Sequence, residues 1–455
     1  MSSRWSNLKE ILHLLLPMVI TLTLEFSISL IDTLMLGHYD SYHLAAVGIA
    51  SSLWVPVGCL VMGTMFGLTP LITRHLHGRQ PKLVNLYMSQ AVGVCLSIGV
   101  LLTIFVVTVL PYFVGLMNVE EQTKRLAIYY LYFFAPAIPV LAFTIGYKNL
   151  FEAASRPHFP LLVAIMGLLL NVLLNYLLIY GAWGFPELGV VGAAIASTIA
   201  TYCGVLVFFC YDRLFNPVTL FSQIKLKYLF KFGVLLHVGM PAGFALAFEV
   251  MLFSSIMWLA SSFGDLAVGA SQIAMSYTSI LFTPLMAISS VSAILVAKAL
   301  SAQGGQAVRE KIRVIVALGF GYNLICLTLT QWFAIEIPLL YTSDTDVALM
   351  ASGVLVIASV YQIVDMLQTT FTGALRGLRD TRTSMLAFAV SLFGLSLPLG
   401  FWLAHYSPWA ERLTIKGFHI GLGIGLTLLA VILISRFYYL LRRRTSVITS
   451  TSLVS

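Results

Sequence analysis

Four carboxylates stand in stretches that are otherwise hydrocarbon: Glu25 and Asp32 in "PMVITLTLEFSISLIDTLMLG" (17–37), Glu249 in "FEVMLF" (248–253) and Asp365 in "SVYQIVDMLQTT" (359–370). An acid at the centre of a membrane helix costs about 2.5–3.5 kcal/mol, so it faces a protein interior or a water-filled cavity and marks function. No Lys or Arg is expected at comparable depth in these stretches. That leaves protons or bound cations as counter-charge and argues against purely structural ion pairs. Glu25 and Asp32 are seven residues apart, two turns along one helix face. Tyr361 lies one turn before Asp365 and Gln368 about one turn after it, on one stripe. Carboxylate, phenol and amide oxygens suit a hard cation such as Na⁺ and equally suit a proton carrier. Plain interhelical hydrogen bonding competes with that reading for Tyr361 and Gln368, and is the first reading for Asn171 and Asn175 in "GLLLNVLLNYLLIYG" (167–181).

The elements that must hold these groups are membrane spans. Of 455 residues, 59% are hydrophobic and 10% charged, against about 25% charged in ordinary soluble domains. Apolar runs long enough to cross a bilayer recur twelve times, at 11–36, 44–72, 84–116, 127–147, 159–182, 188–211, 234–262, 266–297, 314–338, 348–375, 384–405 and 417–440. The expected fold is an all-α integral membrane protein of twelve transmembrane helices. Of the 26 Lys and Arg residues, only Lys124, Arg125, Arg412 and Lys416 fall in the odd-numbered loops. The other 22 fall in the even-numbered loops and tails, which places both termini in the cytoplasm. The net charge of +8 is therefore a topology signal, and no nucleic-acid partner is expected. The N-terminal "MSSRWSNLKEILHLLLP" has no small-residue cleavage site and is expected to be retained. Cys59, Cys95, Cys203, Cys210 and Cys326 all lie in apolar runs, odd in number and without metal-site spacing.

The chain repeats itself. An offset of 224 residues places Pro17 on Pro241, Leu22 on Leu246, Glu25 on Glu249, Ala46 on Ala270, Ile49 on Ile273 and Leu76 on Leu300, and later sets "LFEAASRP" (150–157) over "ALRGLRDT" (374–381). Two six-helix halves of equal orientation are expected at 1–212 and 232–440, joined by a cytoplasmic linker at 213–231 and followed by a cytoplasmic tail at 441–455. Parallel repeats of this kind are typical of secondary transporters that alternate access to a site near the repeat interface. Pro17 and Pro241 each free a backbone carbonyl and permit a bend in the first span of each half.

Competing chemistry is thin. There is no GxxxxGK[ST] phosphate loop, the "HLH" at 75–77 lacks further metal ligands, and no Ser–His–Asp or Cys–His set follows from order or spacing. An enzyme is not expected, and no cofactor beyond a coupling ion.

The segments "IDTLMLGHYDSYHLAAVGIASSLWVP" (31–56), "FEVMLF" (248–253), "GFPELGVVGAAIA" (184–196) and "YQIVDMLQTTFTGALRGLRDT" (361–381) resemble the multidrug and toxic compound extrusion (MATE) family, in its NorM-like branch. The resemblance runs over nearly the whole chain, and "GALRGLRDT" is its most specific motif. It implies a monomeric multi-pass protein of the inner (plasma) membrane that exports lipophilic, often cationic drugs in exchange for Na⁺ or H⁺. Carried over by position, it implies a cation site at Glu249, Asp365 and Tyr361, a coupling acid at Asp32, and polar support from Asn171 and Asn175. Glu25 departs from the uncharged polar residue common in the branch, and Leu173 from a proline. Glu25 is grouped with the coupling residues, and Glu25→Gln is expected to be milder than Asp32→Asn. A lipid or lipid-linked precursor flippase is the alternative, for which extra spans and a basic cavity are expected; a membrane-embedded enzyme is a more remote one.

Overall fold

The computed structural model describes residues 2–77, 80–117, 119–215, 228–229, 233–302, 304–342 and 344–451. Most of the linker expected at 213–231 lies outside the described residues, as do residues 452–455 of the tail. The described chain is helical, with no strand.

Its helices run in the order α1 (Ser2–Tyr39), α2 (Ser41–Phe66), α3 (Leu68–His77), α4 (Pro81–Thr108), α5 (Leu110–Leu116), α6 (Glu121–Phe134), α7 (Ala137–Ala153), α8 (His158–Ile179) and α9 (Val190–Phe215). They continue with α10 (Gly233–Ala260), α11 (Asp265–Ala302), α12 (Gly305–Trp332), α13 (Glu336–Leu339), α14 (Thr345–Gly377), α15 (Thr381–Phe388), α16 (Leu397–His405), α17 (Ala410–Leu413) and α18 (Lys416–Thr451). A π-helical turn, Ala389–Ser396, joins α15 to α16. Among the described residues, eleven continuous stretches are long and apolar enough to cross a membrane, and the bent pair α6–α7, counted as one span, brings the number to twelve. That pair is the fourth expected span, and it breaks by 52° at Pro136, whose ring and missing N–H cannot continue the α6 ladder. With no Gly or Pro after Ser435, α18 runs on to Thr451, so the described part of the tail expected at 441–455 continues the last helix.

Local sequence explains the helix ends. Asp40 caps α2 by accepting from the Tyr42 and His43 N–H groups at 2.7 and 3.4 Å, and Asp344 caps α14 by accepting from Asp346 and Val347 at 2.9 and 3.3 Å. The repeat is visible in backbone geometry too. Two residues past the ends of α7 and α14 lie Ser155 (φ 59°) and Arg379 (φ 63°), 224 positions apart and both left-handed without being glycine. Around them the closing bonds match: Arg156 N–H to Phe151 O and Asp380 N–H to Leu375 O, each at 2.9 Å.

The chain divides into two compact units, one of residues 1–15 with 244–455 and one of residues 16–243. Both changes of unit fall inside a first-span helix, within a few residues of Pro17 in α1 and Pro241 in α10. In the unit of 16–243, α2 meets the start of α10 through two facing small-residue motifs, Gly63–x₃–Gly67 and Gly239–x₃–Gly243. A Cβ on Gly63 would overlap Gly243 Cα, and one on Gly67 would lie 2.7 Å from Gly239 Cα. Side chains are excluded, so backbones approach closely and dispersion replaces the missing hydrophobic drive between membrane helices. In the other unit, "GALRG" (373–377) does the same for α14 against α11: a Cβ on Gly377 would meet Ala293 O at 2.7 Å, and one on Gly373 would overlap Ser289 O.

Gly63→Val is therefore expected to destabilise strongly, by about 1–3 kcal/mol or more, because the obstacle is backbone. Gly167→Ala in α8, where nothing lies within 4 Å of the added Cβ, should leave stability unchanged or slightly raised. Thermal melting of the detergent-purified variants measures both; equal melting for Gly63→Val and wild type would refute the close crossing.

Candidate cation-coupling sites

In the unit of residues 16–243, α1, α8 and α9 converge on Asp32. Asn175 Nδ2 donates to Asp32 Oδ1 at 2.5 Å and the Ser197 hydroxyl to Oδ2 at 3.0 Å. Asn171 Nδ2 donates to Ser197 Oγ at 3.1 Å, and Asn175 Nδ2 to Asn171 Oδ1 at 3.1 Å. Asp32, Asn171 and Asn175 are buried, and among the described residues no Lys or Arg pairs with Asp32. The one-turn spacing of the two asparagines is what lets both reach the same carboxylate neighbourhood. Ser197 escaped the sequence reading because a serine in the small-residue run "GAAIASTIA" carries no distinguishing pattern.

This arrangement can hold Asp32 in two states. As a carboxylate it is satisfied by the Asn175 amide and the Ser197 hydroxyl. As an acid it needs an acceptor, and the buried Asn175 Oδ1 has no hydrogen-bond partner in the structure; rotating the amide by half a turn presents that oxygen to Asp32.

In the unit of 1–15 and 244–455, Gln368 is the centre. Its Nε2 donates to Asp365 Oδ1 at 2.8 Å and Thr369 Oγ1 at 2.9 Å, and reaches Glu249 Oε1 at 3.4 Å. Glu249, Asp365 and Gln368 are buried, and again no basic side chain pairs with either acid among the described residues. Two carboxylates sharing one amide and no cation form an electrostatic well for a proton or a hard metal ion. Tyr361, one turn before Asp365 on α14, has its hydroxyl 3.5 Å from His419 Nδ1, and the two rings stack with a 12° tilt. His419, buried on α18, was not foreseen, because a partner 58 residues away leaves no local signal.

Glu25 requires a correction. The sequence suggested no base at its depth, yet Lys148 Nζ donates to both its oxygens, at 2.6 and 2.9 Å. The fourth span was expected to end at 147, which put Lys148 in a cytoplasmic loop. The helix runs on to Ala153, burying Lys148 among its inner residues. Glu25 is thus neutralised within the protein, unlike Asp32, Glu249 and Asp365. Glu25→Gln would remove the carboxylate with which the buried Lys148 ammonium pairs. A second unforeseen ion cluster joins Glu10 to Lys298 (2.7 Å) and to Lys311.

A repeated bundle of membrane-crossing helices with buried acids in each unit has the architecture of a membrane transporter. The MatE family model matches residues 17–177 and again 241–402, two copies whose starts are 224 residues apart. The chain belongs to the MatE family. Among curated relatives it is similar to "Probable multidrug resistance protein NorM" of Bacillus cereus (strain ATCC 10987), 32% identical over 445 residues and 96% of each chain. It is also similar to the protein of that name in Acinetobacter baylyi, 30% identical over 95% of this chain and 96% of the relative. Among solved structures it shares its fold with the eukaryotic MATE transporter AtDTX14 (TM-score 0.85, 17% identity, 94% of this chain and 95% of that one) and with the Vibrio cholerae MATE transporter VcmN in the bent form (TM-score 0.83, 20% identity, 97% and 99%).

Proposed function

We propose that the chain exports lipophilic organic cations by antiport, exchanging them for an entering monovalent cation, Na⁺ or H⁺. The chain is a multidrug transporter of the MATE type, as its relatives' names indicate, and the observation that carries the mechanism is the pair of acid centres without basic partners. Asp32 with its amide–hydroxyl cradle and Glu249/Asp365 around Gln368 each attract one cationic occupant at a time. Antiport needs that property: a site that a drug cation and a coupling cation both want, but cannot hold together, exchanges one for the other. An acidic rather than basic lining also disfavours an anionic lipid headgroup as cargo.

We read the protein as a monomer in the plasma membrane, and place both termini in the cytoplasm on the excess of Lys and Arg in one set of loops. A reporter enzyme fused after Ser455 should be active only inside, and one inserted at Glu120 only outside; the reverse pattern would overturn this topology. For the function, expression in a host stripped of its own exporters should lower accumulation of a fluorescent lipophilic cation and raise drug resistance. Unchanged accumulation at normal membrane expression would contradict export.

A further inference from the structure

The 224-residue repeat places Glu25 at the position of Glu249, and α7 at the position of α14. In both units the first-span acid meets the fourth crossing of its half. In the later half Glu249 meets an amide, Gln368, with a second acid beside it and, among the described residues, no base paired with either acid. In the earlier half Glu25 meets Lys148, whose repeat counterpart is Thr372, one turn beyond Gln368. An ammonium on a side chain therefore stands where the other half leaves its acids open to a mobile cation.

The pair is lopsided in exposure. The Glu25 side chain is 41% exposed and that of Lys148 9%. Lys148 extends from inside the helix packing, with Glu152 one turn further along α7. A half-exposed carboxylate inside a membrane span must look onto water or a polar cavity rather than lipid, so a solute can approach Glu25 from the side opposite Lys148. Glu152 adds a second negative charge near the Lys148 ammonium. A buried ion pair of this kind is weak evidence of a stabilising role.

We propose that Lys148 is a tethered counter-cation: it occupies Glu25 when no substrate is bound, and a quaternary or other lipophilic organic cation binds the earlier half by displacing it. Lys148 then sets affinity and selects for permanent or strongly held positive charge, since only such a solute competes with an ammonium. This rests on the export reading above and adds a substrate-recognising pair to it.

The test is binding of tetraphenylphosphonium, a cation with no titratable group, to the full-length purified protein by calorimetry. Wild type should bind; absence of any binding would overturn the export reading and this proposal together. If Lys148 holds Glu25 about nine-tenths of the time, Lys148→Gln should tighten binding about tenfold, because the competent fraction rises toward one. Unchanged or weaker binding in that variant, with wild-type binding intact, would overturn the tether alone. The exchange Glu25→Lys with Lys148→Glu keeps the same three charges and the bridge, and guards against a folding defect in the single variant. It should melt near wild type yet bind the probe at least about tenfold more weakly, since the exposed partner is now the ammonium. Recovery of wild-type affinity in the exchange would show that the bridge serves structure only.

Discussion

Asp365→Asn should abolish export while the protein still reaches the membrane. The substitution keeps the shape of the side chain, and Gln368 Nε2, which donates to Asp365 Oδ1 at 2.8 Å, can donate to the new amide oxygen instead. What is lost is one of the two charges that make the Glu249–Asp365 pair a well for a cation. With one acid left, Glu249 retains an amide contact at 3.4 Å but no companion to share a hard ion or a proton, and oxygen-rich coordination falls below what a bare cation needs. The expected readout is drug resistance and dye efflux near those of cells without the gene, at wild-type levels of membrane protein. Gln368→Leu should be an intermediate case, removing the amide that links the acids while leaving both charges. Full resistance in Asp365→Asn would remove this centre from the mechanism.

The second large effect concerns Asp32. In wild type, affinity for a permanent organic cation should fall as pH falls, because a protonated Asp32 no longer attracts it. The sign follows from competition: proton and drug cation cannot both occupy the carboxylate bounded by Asn175 and Ser197. Asp32→Asn should lower affinity at high pH by about tenfold, the equivalent of about 1.4 kcal/mol, and flatten the pH profile. Asn175→Leu should lower affinity less and leave a slope, since the charge remains while its cradle is incomplete. Titrating the binding of tetraphenylphosphonium between roughly pH 5 and 8 separates the three proteins. A steep, unchanged slope in Asp32→Asn would assign the pH dependence to Glu249 and Asp365.

Much of the architecture was written locally. Each span is an apolar run set by bilayer thickness, and a constant 224-residue offset survives because matching helices must bury matching faces. Pro136 shows the limit: an X–Pro step signals a break, but whether the two pieces still make one crossing depends on packing. The acids stood out because charge in hydrocarbon is costly wherever it occurs. Their partners did not. Lys148 lay one residue past an expected boundary, and a hydropathy average cannot say whether a lysine at a helix end is solvated or drawn inward. Ser197 and His419 meet their partners across 165 and 58 residues, distances over which composition carries no register. The glycines of 63–67, 239–243 and 373–377 were readable as small-residue motifs, but the backbone each faces is decided by tertiary packing alone.

The central claim is that an entering cation drives the organic cation out through acids that hold one or the other. It is tested most directly in sealed vesicles containing only the purified protein and lipid, preloaded with a fluorescent organic cation. Na⁺ and H⁺ gradients are imposed one at a time, with the membrane potential clamped. Release of the dye should accelerate under at least one of the two gradients, stop when that gradient is collapsed, and be absent in a protein carrying both Asp32→Asn and Asp365→Asn. Release that is indifferent to both gradients, or that persists in the doubly substituted protein, would contradict it.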